Sequence, residues 1–246
     1  VAAARVAIAH DVPFIVAPHG SFAEIRMQSK TFKKKVYVAL FLRQLLKNCR
    51  AIHFCSDYER RTFSIKHARP HMIVPNAVDD FFIEAPAQED RAADKKTGKA
   101  TAGTMVAAPW NLLTAGRPDP IKGFDLCIET LALLRDRGQN VHLKILGTAD
   151  SPYGKELQAL AHRLGVSDAI NWRPFVTGSA LIEEFLSTDA YISMGRDENF
   201  CIAAAEALCL GLPVVCANTV GIGELVDEHD MGRVSSSAPA EAAQAV

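Results

Sequence analysis

The chain has 246 residues, 49% of them apolar and 22% charged, with a formal net charge of −1. That length holds one large or two small domains with an ample core. The even charge gives no general affinity for nucleic acid, and no apolar run reaches the roughly 20 residues that span a bilayer.

The first segment, "VAAARVAIAHDVPFIVAPHG", opens in a helix and passes into a strand at 13–17. There is no initiator Met and no signal-peptide pattern, and the last segment, "SSSAPAEAAQAV", reads as the opening of another helix. The expectation is a fragment of a longer protein. Residues 26–50 carry eight cations, Arg26, Lys30, Lys33, Lys34, Lys35, Arg43, Lys47 and Arg50, and no acid. Val38, Phe41, Leu42 and Leu45 give this segment an apolar stripe at helical spacing. Two readings stand. Either the stripe faces a core and the cations are solvated, or the helix lies on an anionic membrane. Further strands are expected at 51–56 and 71–75. Between them Ser56 and Glu59 have the spacing of a capping box.

Residues 84–109, "EAPAQEDRAADKKTGKATAGTMVAAP", lack a hydrophobic period and read as a linker or long exposed loop. The domain expectation is therefore 1–83, a partial first unit, then the linker, then 110–246. The second stretch predicts strands at 111–116, 141–147, 169–175, 190–194 and 213–218. Helical segments such as "KGFDLCIETLALLRDRG" and "YGKELQALAHRLG" lie between them and stop at glycine. Alternation of apolar strands with helices predicts parallel sheets covered by helices.

Cysteine usage adds little chemistry. Cys49, Cys55, Cys127, Cys201, Cys209 and Cys216 form no C-x-x-C pair, which argues against a zinc site. Most lie in apolar runs and read as small buried residues, in keeping with a reducing, cytoplasmic setting.

Two strand-to-helix corners carry candidate chemistry, because ligands of open α/β sheets bind beyond the carboxyl ends of strands. In "LLTAGRPDPIKGFDLCIETLALL", Arg117 and Lys122 flank a Pro-Asp-Pro turn. Two cations there could clamp a diphosphate, or they could be ordinary solvated charges. Neither G-x-G-x-x-G nor a P-loop is present. In "GRDENFCIAAAEALCLGLPVVCAN", Glu198 is expected near a helix start and Glu206 two turns inside it, about 12 Å away at 1.5 Å per residue. That is too far for a glycosidase carboxylate pair, which needs roughly 5–9.5 Å. It suits the two ends of one extended ligand, such as the ribose and the sugar of a nucleotide-sugar. The amides of Asn199, Phe200 and Cys201 would sit at the positive end of that helix. Alternatively Glu198 serves only the helix dipole and Glu206 pairs with a nearby cation.

The motifs together resemble the retaining glycosyltransferases of family 4, glycosyl transferases group 1, which have the GT-B fold. "GRDENFCIAAAEALCLGLPVVCANTVGIGELV" resembles their E-x7-E region, and "AGRPDPIKGFDLCIETLALL" resembles their G-R-x(4)-K-G corner. "VPNAVD" (74–79) resembles the P-N-G-V-D strand end, and "PHGSF" and "SDYE" match places in the first domain. The resemblance implies two Rossmann-like parallel-sheet domains facing across a cleft, the first incomplete. It implies a metal-independent hexosyltransferase that moves a sugar, with retention, from a nucleoside-diphosphate sugar to a hydroxyl of a glycan or lipid-linked acceptor. Polysaccharide or lipopolysaccharide biosynthesis, in the cytoplasm or at the inner face of the membrane, is the implied setting.

The same resemblance implies residue roles. Arg117 and Lys122 neutralise the diphosphate. Glu206 binds the ribose, and Glu198 contacts the transferred sugar. The backbone of Asn199, Phe200 and Cys201 holds the sugar and distal phosphate. The base lies against the backbone from Arg173 to Phe175, and His19 faces the sugar and acceptor. No cofactor, metal or nucleic acid is expected, and no D-x-D pair occurs. Cys201 stands where the family has glycine, so crowding of the sugar by its side chain is expected. Two rivals remain, a GT-B nucleotide-sugar epimerase and a non-catalytic nucleotide-sugar-binding fragment.

Overall fold

The computed structural model describes residues 2–23, 38–85, 108–117, 119–147 and 150–246. They form two compact units that divide between Asn76 and Ala77.

The first unit contains α1 (Ala2–Ala9), β1 (Ile15–Val16), a π-helical turn (Val38–Leu42), α2 (Arg43–Asn48), β2 (Ala51–Phe54), α3 (Asp57–Thr62) and β3 (His71–Ile73). The strands are parallel in the order β1-β2-β3, with Ile15 opposite Ala51 and Ile52 opposite His71. Val38, Leu42, Leu46, Cys49, Ile52 and Phe54 form its core, and Phe14, Phe22 and Phe63 pack against them. The apolar stripe of the basic segment is thus a core face. Val38, Leu42 and Leu45 are buried while Arg43, Lys47 and Arg50 are exposed. Over residues 38–50 the stripe therefore serves the core, with Leu40 left exposed beside it. Residues 26–37 lie outside the described residues.

Ser56 caps α3, its side chain accepting from the Glu59 amide at 3.0 Å. The buried Glu59 carboxylate does more than cap. It accepts from the Cys55 amide at 2.8 Å and, from the loop after the neighbouring strand β1, the Gly20 amide at 2.5 Å.

The second unit begins before the expected linker. Asp79 caps α4 (Asp80–Ile83), and Phe82 packs edge-on to Phe185, ring centres 6.2 Å apart. Residues 77–83, grouped with the first unit in the sequence reading, therefore belong to the second. Of the expected linker 84–109, residues 86–107 lie outside the described residues. Then follow β4 (Trp110–Ala115), a 3-10 turn (Pro120–Lys122), α5 (Phe124–Asp136), β5 (Val141–Leu146), α6 (Pro152–Arg163), β6 (Ile170–Arg173), α7 (Ser179–Leu186), β7 (Ala190–Ser193), α8 (Ile202–Cys209), β8 (Val214–Ala217), α9 (Gly223–Glu228), β9 (Gly232–Ser235) and α10 (Pro239–Ala245). The six strands are parallel in the order β6-β5-β4-β7-β8-β9.

Every expected strand is present; β4 keeps its length and shifts by one residue, and the others are one to three residues shorter than read. The added strand is β9. It is a partly exposed edge strand that starts at a glycine, so it lacks the apolar run that marked the others. Leu112, Leu113, Leu143, Ile145, Ile192 and Val214 fill the sheet, with Phe124, Ile128, Leu131 and Leu134 of α5 over one face. The order reverses between β4 and β7. That reversal opens a crevice at the carboxyl ends of those two strands.

One glycine holds the crevice floor. Gly123 has φ +67°, and a Cβ there would stand 1.9 Å from the Met194 carbonyl oxygen at the end of β7. Gly123→Ala should cost on the order of 3 kcal/mol or more in urea unfolding, combining left-handed strain with that collision. Gly138, at φ +78° with nothing within 4 Å of its Cβ position, is the control. Gly138→Ala should cost only about 1–2 kcal/mol.

Candidate functional site

The first wall of the crevice is the corner after β4. Gly147, at φ +99°, lets β5 end close to β4, since a Cβ there would lie 2.9 Å from the Gly116 carbonyl oxygen. Beside this spot the Phe175 ring stands 68% exposed, its Cδ2 3.6 Å from the same Cβ position. Arg117 follows Gly116 on the surface, without an ion pair among the described residues. Asp119 caps the 3-10 turn, its carboxylate accepting from the Ile121 amide at 3.0 Å. The turn sends the Lys122 stem back across Gly116, 3.8 Å from its Cβ position.

The second wall is the loop between β7 and α8. Glu198 is buried and forms a parallel bridge with Val220. Its amide donates to Thr219 O at 3.0 Å and its carbonyl accepts from the Gly221 amide at 2.8 Å. The Glu198 carboxylate forms an ion pair with the Lys122 ammonium. The two expected diphosphate and sugar contacts are thus in direct touch.

The helical spacing of the two carboxylates needs correction. α8 starts at Ile202, so Glu198 lies four residues before it, and the 12 Å measured along a helix does not apply. The chain turns at Cys201, which has φ +78° and ψ +79°. That left-handed residue costs a non-glycine roughly 1–2 kcal/mol. Asn199, Phe200 and Cys201 accordingly form a bend ahead of the helix rather than its first turn. The Phe200 carbonyl accepts from the Ile222 amide at 2.9 Å. Among the described residues, the Phe200 and Cys201 amides donate to no backbone carbonyl. The next amides, at the start of α8, lack intrahelical acceptors as in any helix. The Cys201 side chain points into the protein. It is buried with Sγ 3.6 Å from Ser193 Oγ, which corrects the expected crowding of a ligand. Burial, then the Glu198 charge, push its thiol pKa up.

Glu206 lies one turn into α8, half-buried, with no ion pair or side-chain hydrogen bond among the described residues. Burial and then the Asp79 carboxylate raise its pKa above the ordinary value. Among the described residues no neighbouring cation pairs with it. At the end of β6 the Arg173 side chain is held by Glu184, with Nε donating at 2.8 Å. Lys144 of β5 completes the cluster, its Nζ 2.7 Å from Glu184 Oε2 and 2.6 Å from Ser187 Oγ. Burial alone would raise the Glu184 pKa, but Lys144 and Arg173 hold it below the usual range. This cluster fixes the backbone from which Phe175 projects.

His19 belongs to the first unit. It is exposed at φ +48°, its ring edge-on to His53 with centres 6.3 Å apart. The Gly20–Glu59 bond anchors its loop. The sequence reading passed over Arg196, Asp125 and Thr219. Thr219 Oγ1 donates to the Gly195 carbonyl and so braces the Glu198 loop. No residue type or spacing marks these three, since each acts through a contact between distant segments.

Residues 106–246, more than half of the chain, match the family described as Glycosyl transferases group 1. The chain belongs to this family. A D-inositol 3-phosphate glycosyltransferase from Xylanimonas cellulosilytica is 33% identical over 169 residues, 64% of this chain and 39% of that protein. One from Streptomyces griseus is 29% identical over 174 residues, 66% of this chain and 37% of that protein. The chain therefore spans well under half the length of these relatives. Among solved structures, Anabaena Alr3699/HepE in complex with UDP and glucose superposes with a TM-score of 0.73 at 19% identity, covering 98% of this chain and 63% of that one. Sucrose-phosphate synthase from Thermosynechococcus elongatus superposes with a TM-score of 0.70 at 19% identity, covering 98% and 60%. The fold of this group 1 chain is thus of the GT-B kind, with parallel α/β sheets as expected.

Glu206, without a cation partner among the described residues, has a consequence for stability. A carboxyl whose folded pKa lies above its unfolded value favours folding while protonated, and that contribution is lost as pH rises through the folded pKa. Glu206→Gln should therefore melt higher than wild type at pH 7.5. The gap should close on acidification toward pH 4, as followed by calorimetry. Equal melting at both pH values, or a larger gap in acid, would refute the assignment of an uncompensated charge.

Proposed function

We propose that this chain is the donor-binding part of a glycosyltransferase that moves a hexosyl group from a nucleoside-diphosphate sugar to an acceptor hydroxyl, with retention and without a metal. The observation that carries the reading is the Lys122–Glu198 pair at the switch point of the second sheet, beside Phe200 and Cys201 amides that donate to no backbone carbonyl among the described residues. A cation and free N–H groups suit a diphosphate, while a carboxylate beside them suits sugar hydroxyls. Family membership and the UDP and glucose held by the Anabaena neighbour support the same reading.

In this mechanism the donor's base lies against the backbone from Arg173 to Phe175, with the Phe175 ring at its edge. Glu206 accepts from the ribose hydroxyls. Arg117 and Lys122 stabilise the negative charge that grows on the leaving diphosphate, the largest electrostatic demand of the step. Glu198 and the amides of Asn199, Phe200 and Cys201 orient the sugar. The departing phosphate oxygen takes the acceptor proton on the same face, so no protein base is required. His19 of the first unit is assigned the acceptor. The acceptor is a glycan or lipid-linked hydroxyl, and the name of the curated relatives adds D-inositol 3-phosphate as a candidate to assay.

The test is release of nucleoside diphosphate from UDP-, GDP- and ADP-sugars by the intact protein, with and without acceptor. Release that depends on acceptor is expected, and NMR of the product should show the donor's anomeric configuration. Lys122→Ala and Glu206→Ala should each lower turnover on the order of 10²-fold or more. Near-normal turnover in both variants refutes the assignment. Conversion of the donor to its epimer without acceptor would favour the epimerase.

A further inference from the structure

Lys122 and Glu198 are carried by two loops from different strands, and one residue bridges those loops. Arg196 lies two residues before Glu198. Its Nη1 donates to Asp125 Oδ1 at 2.8 Å and its Nη2 to Asp125 Oδ2 at 2.6 Å, a fork on a carboxylate. Nη1 also donates to the Pro120 carbonyl at 2.7 Å. The Arg196 amide donates to the Ile121 carbonyl at 2.8 Å. One residue thus holds the turn just before Lys122 at two carbonyls and, through Asp125, the first turn of the helix just after it.

Asp125 is itself fixed. Tyr153 of α6 donates its hydroxyl to Oδ1 at 3.2 Å, and the carboxylate stands in the first turn of α5, where the helix dipole favours negative charge. Burial pushes the Asp125 carboxyl up, but the Arg196 hydrogen bonds and charge outweigh it and leave the pKa below the ordinary value. The fork is therefore charged throughout the working pH range. A guanidinium fork fixes both distance and plane, which a single ammonium contact does not.

We infer that Arg196 is a positioning residue that clamps the Pro120–Asp125 corner to the Gly195–Glu198 loop and so sets where the Lys122 ammonium stands for the donor's diphosphate. The inference rests on the donor reading above, and it assigns Arg196 no contact with the ligand. Its effect reaches the ligand only through Lys122. Removal of the clamp should therefore weaken recognition of the second phosphate and leave base and ribose recognition unchanged.

The experiment measures affinity for the nucleoside diphosphate, among UDP, GDP and ADP, that the intact protein binds most tightly, and for the matching monophosphate. The wild type should prefer the diphosphate. Arg196→Ala should lower that preference by about tenfold or more while monophosphate affinity holds. Arg196→Lys, a single ammonium in place of the fork, should fall between. Added to Lys122→Ala, Arg196→Ala should cause no further loss, since both act on one contact. Asp125→Asn removes the fork from the other side, leaves the carbonyl contacts in place, and should reproduce the effect even if Arg196→Ala folds poorly. An unchanged preference in Arg196→Ala or Asp125→Asn overturns the clamp alone. So does equal weakening of both nucleotides, or full additivity with Lys122→Ala, which is what general loosening of the fold would give. A wild type with no diphosphate preference overturns the donor reading, and the clamp with it.

Discussion

Lys122 and Glu198 stand 76 residues apart in the chain and meet because of one topological fact. β4 and β7 are neighbours in the sheet although they are the first and fourth strands of the second unit, so the loops that leave their carboxyl ends face each other. A partly buried ion pair gains little over water unless its geometry is fixed, since desolvation offsets most of the attraction. Here the backbone fixes it from both sides. The Gly123 turn presses against the Met194 carbonyl, and the Glu198 backbone is pinned to the loop after β8. The pair is a product of the sheet order rather than a cause of it.

Charge distribution around the crevice separates support from reaction. Arg173, Lys144 and Glu184 satisfy one another, as do Arg196 and Asp125. Arg117 and Glu206 have no such partner among the described residues. An uncompensated, half-buried carboxylate such as Glu206 lowers stability, and residues of that kind persist where a ligand supplies what the fold does not. Cys201 adds a second unfavourable feature, a left-handed backbone at a residue with a side chain. Both costs fall on α8 and its entry, beside the Lys122–Glu198 pair.

The sheets were legible because buried parallel strands are near-continuous apolar runs, and "NLLTAG", "VHLKILG" and "AYISM" need no context to be read. β9 was not, because an edge strand with one wet face carries a weaker signal. The position of the unit boundary was hidden for a similar reason. Helix α4 is four residues long, and only Phe82 meeting Phe185 shows which core it serves. At the site, residue types named Lys122, Glu198 and Glu206. The geometry between them could not be read, because the assumption of a continuous helix from Glu198 fails at a backbone angle that a cysteine gives no sign of adopting. Arg196 and Asp125 were invisible for a third reason, since their meaning lies wholly in a contact between loops.

Cys201 shows what this corner demands of its sequence. The family pattern has glycine there, and the simplest reading is that glycine leaves room for a ligand. In this chain the side chain is directed at Ser193 and the core, away from the crevice, so room is not the constraint. The constraint is the positive φ, which swings the chain from the Glu198 bridge into α8 and leaves the Phe200 and Cys201 amides without backbone acceptors among the described residues. Glycine meets that requirement at the lowest cost. A small buried thiol meets it by recovering part of the strain through packing, since each buried methylene-sized group contributes about 0.8 kcal/mol. The bend is thus specified by the direction of its N–H groups, and the residue at 201 is free to vary only toward side chains that the Ser193 pocket can hold.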